Sequence, residues 1–219
     1  MSRPAKTTYV ALDIETDTSP LTEAERAAGL GPRGLDPGHT PVTDVAFCGK
    51  DFHEVFTGDE ASVLADTMEL ISMLDAHEHL VTWNGSVFDL PFLAARAAVH
   101  GIDVPYDLVL DPAIVPKYDP CPGFDGGYRA LVDGRDRHTD LAYVAKPFAQ
   151  ALGVPWSLKP FAEHCLGEPL LSVDRTRMHE LSQTQRRAYV ASDADGTYRL
   201  VPFLLGRRQI PRLDASARL

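Results

Sequence analysis

The stretch Thr7-Thr8-Tyr9-Val10-Ala11-Leu12-Asp13-Ile14-Glu15-Thr16 decides how the chain is read. Residues 7–14 are rich in β-branched and aromatic side chains and almost continuously apolar, the pattern of a central strand. Two acids break that pattern at its end. Their spacing of two puts Asp13 and Glu15 on one face of the strand. Carboxylates at successive same-face positions of an apolar strand call for a compensating cation, because burying an unpaired charge is expensive. Taken alone, the pair fits equally well two solvated acids just past a finished strand.

Outward from this strand, residues 17–43 hold eight Gly or Pro, a long connection with one helical turn expected around Thr22–Ala28. Loops of this length are usually functional or mobile. Strand-like runs follow at Val42–Gly49 and His53–Thr57, and Asp59 can cap a helix running to about Ala76, with Val63, Leu64, Met68, Ile71 and Leu74 on one face. Leu80–Trp83 reads as a strand and Asp89–His100 as a helix. Residues 111–137, with four Pro and four Gly, read as loop. Helical patterns return at Thr139–Leu152, Leu158–Leu166 and Met178–Leu205, the last in two pieces. Early strands followed by packed helices predict one α/β or α+β layered unit, with no internal repeat. The 219 residues suit a single domain with its core at about 7–205 and a basic tail at 206–219.

With 44% apolar and 24% charged residues, the chain reads as soluble and globular. No apolar run approaches the ~18 residues of a membrane span, and the first apolar segment is too short for a signal peptide. Cys48, Cys121 and Cys165 are far apart and odd in number, which excludes a complete disulfide framework, and they show no metal-ligand spacing. A reducing, cytoplasmic setting and no membrane partner are expected.

The net charge of −10 argues against a blanket nucleic-acid binder, yet it is unevenly distributed. Residues 1–110 carry 6 Lys/Arg against 18 Asp/Glu, whereas residues 181–219 carry 7 against 3. An acidic front and a basic tail suit a protein that holds cations in one place and meets phosphates nearby. Two differently solvated faces would give the same counts.

Two further segments place acids beside apolar sequence. Asp89 closes Trp83-Asn84-Gly85-Ser86-Val87-Phe88-Asp89, between a strand and a helix, where helix N-capping would explain it alone. Asp193 closes Tyr189-Val190-Ala191-Ser192-Asp193, and Tyr189 and Asp193 at i and i+4 share a helix face. Four acids on three elements, with few histidines among them, suit hard oxygen-seeking cations such as Mg²⁺ or Mn²⁺ rather than zinc. Such ions ~3.5–4 Å apart are the usual device for in-line attack on a phosphodiester.

In order and separation, Leu12-Asp13-Ile14-Glu15-Thr16, Trp83–Asp89 and Tyr189–Asp193 resemble the three motifs of the DnaQ-like (DEDD) 3′–5′ exonuclease superfamily. Tyr189, four residues before Asp193, indicates the tyrosine branch. Asn84-Gly85 with Phe88-Asp89 is most similar to the proofreading domains of family B DNA polymerases and their stand-alone bacterial relatives. His138-Thr139-Asp140-Leu141 and Ser157-Leu158-Lys159 also resemble segments found there between the second and third motifs. The long connection after the first motif and the short basic tail depart from the family.

The resemblance implies a ribonuclease H-like α/β fold, a central mixed β-sheet flanked by helices. It also implies two divalent metal ions, Mg²⁺ or Mn²⁺. Asp13, Glu15 and Asp193 would hold one, and Asp13 with Asp89 the other. Tyr189, with an ordinary pKa of ~10, is a poor base and would orient the attacking water. Thr16 and Asn84 are candidates to hold the terminal sugar and base, with Phe88 packing beneath. The partner would be nucleic acid with a single-stranded 3′ end, and the products nucleoside 5′-monophosphates. RNA trimming and a non-catalytic nucleic-acid or polymerase-binding module are the alternatives; a module of that kind has no need of four converging acids.

The remaining candidates read as structural. Trp83 and Trp156 fit the core better than a base platform, and Lys146, Lys159, Arg186 and Arg187 are candidates for backbone contacts or plain surface charge. His77 and His79 suit a polar turn and His138 a structural hydrogen bond. None of the histidines has zinc-ligand spacing.

Overall fold

The apolar run at residues 8–16 forms β1 (Thr8–Thr16), the middle strand of a five-stranded sheet. The computed structural model describes residues 7–28, 36–117, 119–206 and 208–211. Part of the predicted connection (29–35) and most of the basic tail (Arg207 and 212–219, with Arg212 and Arg218) lie outside the described residues. The remaining strands are β2 (Val42–Cys48), β3 (His53–Thr57), β4 (Glu78–Thr82), β5 (Tyr106–Leu110), β6 (Tyr128–Val132), β7 (Arg135–Asp136) and β8 (His138–Asp140). The helices are α1 (Glu23–Ala27), α2 (Glu60–Ser72), α3 (Asp89–His100), α4 (Leu141–Leu152), α5 (Leu158–Leu166) and α6 (Gln183–Leu204), with a 3₁₀ helix at Arg175–Glu180.

The sheet runs β3-β2-β1-β4-β8. β1, β2 and β3 pair antiparallel, and β4 and β8 run parallel to β1. This is the ribonuclease H-like mixed sheet flanked by helices that the motifs imply. Successive side chains of β1 enter opposite layers. Val10, Leu12 and Ile14 join Phe47 and the apolar faces of α2 and α3. Ala11 joins Ala46, Cys48 and Val81 beneath α4, α5 and α6. The small side chains of this second face let α6 lie close to β1, so Asp13 and Glu15, which share that face with Ala11, are turned toward it.

Three sequence readings change. Residues 111–137 contain β6 and β7, which pair with β5 in a separate three-stranded antiparallel sheet. Asp133 (φ 51°) and Gly134 (φ 68°) make the two-residue turn, and the surrounding Gly and Pro hide that signal. Thr139 belongs to β8 and not to a helix; α4 begins at Leu141, with Asp140 accepting a hydrogen bond from the Ala142 amide at 3.0 Å. α2 ends at Ser72, well before Ala76. His138 makes the expected structural contact, 2.8 Å from the Thr82 hydroxyl.

Asp140 also fixes the loop that carries Asn84. Its carboxylate accepts from the amides of Asn84 (2.8 Å) and Ser86 (2.9 Å). Asn84 adopts a left-handed conformation (φ 70°), and at Gly85 a Cβ would stand 2.3 Å from the Thr82 hydroxyl, so the chain needs glycine there. Burial pushes the Asp140 carboxyl up to about 6 against the pull of its three amide donors. Asp140→Ala leaves those donors without an acceptor and is expected to destabilise the protein by roughly 2–5 kcal/mol in urea unfolding. A loss below ~1 kcal/mol would show that Asp140 does not hold the loop.

Candidate active site

β1 ends at a bulge, where the register against β2 shifts between Glu15 and Thr16. Bulges re-aim the side chains beside them. Asp13 and Glu15 sit half-buried just ahead of it. Asp89 arrives from β4 through the Asn84–Phe88 loop as the first residue of α3 and is only 4% exposed. It is not the helix N-cap: Phe88 holds that position without a side-chain hydrogen bond. The backbone of Asp89 itself and of Ile14 in β1 favours the charged form of its carboxyl, against the effect of burial. α6 supplies the buried Asp193 and, one turn earlier, the fully buried Tyr189.

Carboxylate oxygens of Asp13, Glu15 and Asp193 lie within 4.8 Å of one another. They open into a cleft of about 470 Å³ that Asp89, Tyr189, Thr16, Asn84 and Phe88 also line. Every residue singled out from the three motifs therefore meets in one cavity. Phe88 packs at 5.1 Å on Phe92 beneath the cleft wall. Trp83 and Trp156 are half-buried at its edge and not fully in the core, Trp83 against Phe161 and Trp156 with its indole N–H on the Ala142 carbonyl.

The electrostatics are those of crowded anions. Burial raises the Asp13 carboxyl well above the usual range, and Asp193, Asp89 and Glu15 raise it further. Glu15 is raised well above its ordinary value by burial and by Asp193, and Asp89 is pushed up to about 8, mainly by burial. Asp193 is also raised by burial, although Lys159, the Tyr189 hydroxyl and Arg175 oppose the shift. Burial and the neighbouring carboxylates raise the Tyr189 phenol above its ordinary value, so at neutral pH it is a hydrogen-bond donor.

Sequence reasoning names Lys159 only as a candidate for backbone contact or surface charge, without its carboxylate partner, and does not name Arg175 or Lys117. The Lys159 ammonium donates to both Asp193 oxygens (2.7 and 3.0 Å) and to the Leu171 carbonyl (2.5 Å), and lies 4.2 Å from the Tyr189 ring centroid. Arg175, from the 3₁₀ helix, and Lys117 line the same cleft. Nothing local marks Arg175; Lys159 lay in a segment singled out for its resemblance. The other basic candidates do not line the cleft. Arg186 is ion-paired with the buried Asp44 at 3.0 Å, Arg187 donates to the Val55 carbonyl, and Lys146 stacks over Trp156. His79 contacts the Thr139 hydroxyl.

Residues 44–110 match the family described as "Predicted 3'-5' exonuclease related to the exonuclease domain of PolB". That stretch contains Asn84, Phe88 and Asp89, and the fold brings the other motif residues to it. The chain is also similar in structure to the family B DNA polymerase from the hyperthermophilic archaeon Pyrobaculum calidifontis, at TM-score 0.68 and 20% identity. The match covers 94% of this chain and 25% of that one, so the chain spans a quarter of the polymerase's length. No curated protein matches it by sequence. The matched stretch and the fold support a PolB-like exonuclease domain, as the three motifs indicate. No helix among the described residues is long and apolar enough to cross a membrane.

The raised carboxyls set the pH dependence of stability. Without cations the native state keeps protons that the unfolded chain, with Asp near 3.8, has released; for Asp89 this holds up to about 8. Stability therefore falls as pH rises through that window. Asp13→Asn removes one of the repelling charges and is expected to raise the melting temperature in EDTA at pH 8 by about 3 °C or more, with the gain shrinking toward pH 4.5. Calorimetry in which the variant melts lower than the unsubstituted protein at pH 8 would contradict this electrostatic account.

Proposed function

We propose that the chain is a metal-dependent 3′–5′ exonuclease that hydrolyses DNA from single-stranded 3′ ends and releases nucleoside 5′-monophosphates, in a reducing cytoplasm. The convergence of Asp13, Glu15 and Asp193 within 4.8 Å, with Asp89 in the same cleft, carries this reading. These donors are all oxygen, and their mutual repulsion is what divalent cations would relieve, so the residues fit Mg²⁺ or Mn²⁺. Asp13, Glu15 and Asp193 would hold one ion, and Asp13 with Asp89 a second. Bound there, such ions acidify the attacking water and offset charge on the phosphoryl and leaving 3′-oxygens.

The chain's own residues supply position. The protonated Tyr189 hydroxyl is a donor that can orient a water beside Asp193. Lys159 and Arg175 bring positive charge to a cleft that would otherwise repel phosphate. Thr16, Asn84 and Phe88 line the cleft, where Thr16 and Asn84 would hold the sugar and base of the terminal nucleotide, with Phe88 packing beneath. A volume of about 470 Å³ lies within the ~300–1,000 Å³ of small-molecule sites, room for a terminal nucleotide.

The test uses matched 3′- and 5′-labelled DNA and RNA oligonucleotides with Mn²⁺ or EDTA. Mononucleotides are expected from the 3′ end of single-stranded DNA, with none in EDTA and none from circular strands. Faster trimming of RNA would reassign the substrate, cutting of circles would make the protein an endonuclease, and no cleavage of any substrate would leave a binding module. Asp13→Ala should lose activity by orders of magnitude. Tyr189→Phe is expected to lose ~10- to 10²-fold, at or below the range for a general base, and Asp193→Asn far more. A Tyr189→Phe loss that equals or exceeds the Asp193→Asn loss would make Tyr189 a proton-transfer group and not an orienting one.

A further inference from the structure

Away from the cleft, the described residues bring a second set of metal-ligating side chains together, Cys48, His53 and Asp195. Cys48 and His53 face each other directly across the β2–β3 hairpin, whose turn is closed by the Gly49 amide on the Phe52 carbonyl at 2.9 Å. Cys48 lies on the sheet face covered by α6. Asp195 comes from that helix, two residues after Asp193. Positions two apart on a helix point about 200° apart, so one acid enters the cleft while the other reaches the hairpin.

The Cys48 Sγ lies 3.8 Å from His53 Nε2 and 3.9 Å from Asp195 Oδ1, and the three ligand atoms all lie within 4.8 Å of one another. With bonds of about 2.0–2.3 Å, a tetrahedral zinc ion holds its sulfur about 3.6 Å from a nitrogen or oxygen ligand. The two contacts to sulfur need to close by only a few tenths of an ångström. Arg199 Nη1, 3.4 Å from the other Asp195 oxygen, steadies that carboxylate as outer partners of metal ligands do. Cys48 is buried at 1% and His53 is exposed, which leaves one side of the group open to a solvent ligand.

The arrangement does not suit a nucleophilic cysteine. A Cys–His–Asp relay needs its acid on the far imidazole nitrogen and its sulfur accessible. Here Asp195 approaches the sulfur itself, and the sulfur is buried. Burial and Asp195 push the Cys48 thiol up to about 12, so it would release its proton to solvent as a metal binds. The thiolate so formed, with imidazole and carboxylate converging on one point, suits a borderline cation such as Zn²⁺ and not the hard ions fitted to Asp13, Glu15 and Asp193.

We propose that Cys48, His53 and Asp195 form a zinc site that staples the β2–β3 hairpin to α6, the helix that carries Tyr189 and Asp193. The site is independent of whether the cleft cleaves DNA. The test is Co²⁺ and Zn²⁺ titration of the untagged 219-residue chain with excess Mg²⁺ present to fill the acid cleft. Expected are one equivalent of tightly bound Zn²⁺ and, with Co²⁺, a near-ultraviolet thiolate charge-transfer band with tetrahedral visible bands. Cys48→Ser should abolish the charge-transfer band. His53→Ala, at an exposed position that leaves folding intact, should weaken Zn²⁺ binding by more than the ~10²-fold seen for outer-partner losses, and Arg199→Ala by ~10-fold. Absence of the band in the unsubstituted protein, or full Zn²⁺ affinity in His53→Ala, would overturn the proposal whatever Cys48→Ser does.

Discussion

Repulsion among Asp13, Glu15, Asp89 and Asp193 is the constraint around which the structure is organised. The acids come from β1, α3 and α6 and are drawn together because the elements that bear them pack through apolar neighbours. Ala11 and Ala46 keep the sheet face thin where α6 crosses, and Ile14 and Leu90 hold the other side of the same elements in the opposite core. Hydrophobic burial thus holds charges close that would separate if they were free.

The surroundings temper that repulsion without removing it. Lys159 spans both oxygens of Asp193 and presses on the Tyr189 ring, and Arg175 acts on Glu15 and Asp193 from the 3₁₀ helix. Asp140 sits one layer back and fixes the backbone that presents Asn84 and Asp89. The molecule therefore holds an acidic floor with positive groups at its edge.

Much of this was legible in the sequence, and the limits were physical. β1 declared itself because a strand buried on both faces must be apolar throughout, so Asp13 and Glu15 stood out against it. α3 and α5 carry complete amphipathic periods and run over Asp89–His100 and Leu158–Leu166 as read. β8 spans only three residues, too few to show alternation, and merged with the helix that follows. The β6–β7 hairpin was masked by the Gly and Pro around its Asp133-Gly134 turn. Contacts between distant segments left no local trace: the Lys159–Asp193 pair, Arg186 on Asp44, and the meeting of Cys48 and His53 with Asp195. Spacing rules for metal ligands see neighbours along the chain, not across a hairpin and a helix.

The claim that Asp13, Glu15, Asp89 and Asp193 make one hard-cation site is tested most directly by anomalous diffraction at the manganese edge. Crystals grown with Mn²⁺ and a nucleoside 5′-monophosphate should show manganese enclosed by Asp13, Glu15 and Asp193, with Lys159 turned away from Asp193. Crystals that bind the nucleotide but show no manganese among these carboxylates, with Lys159 still paired to Asp193, would contradict it.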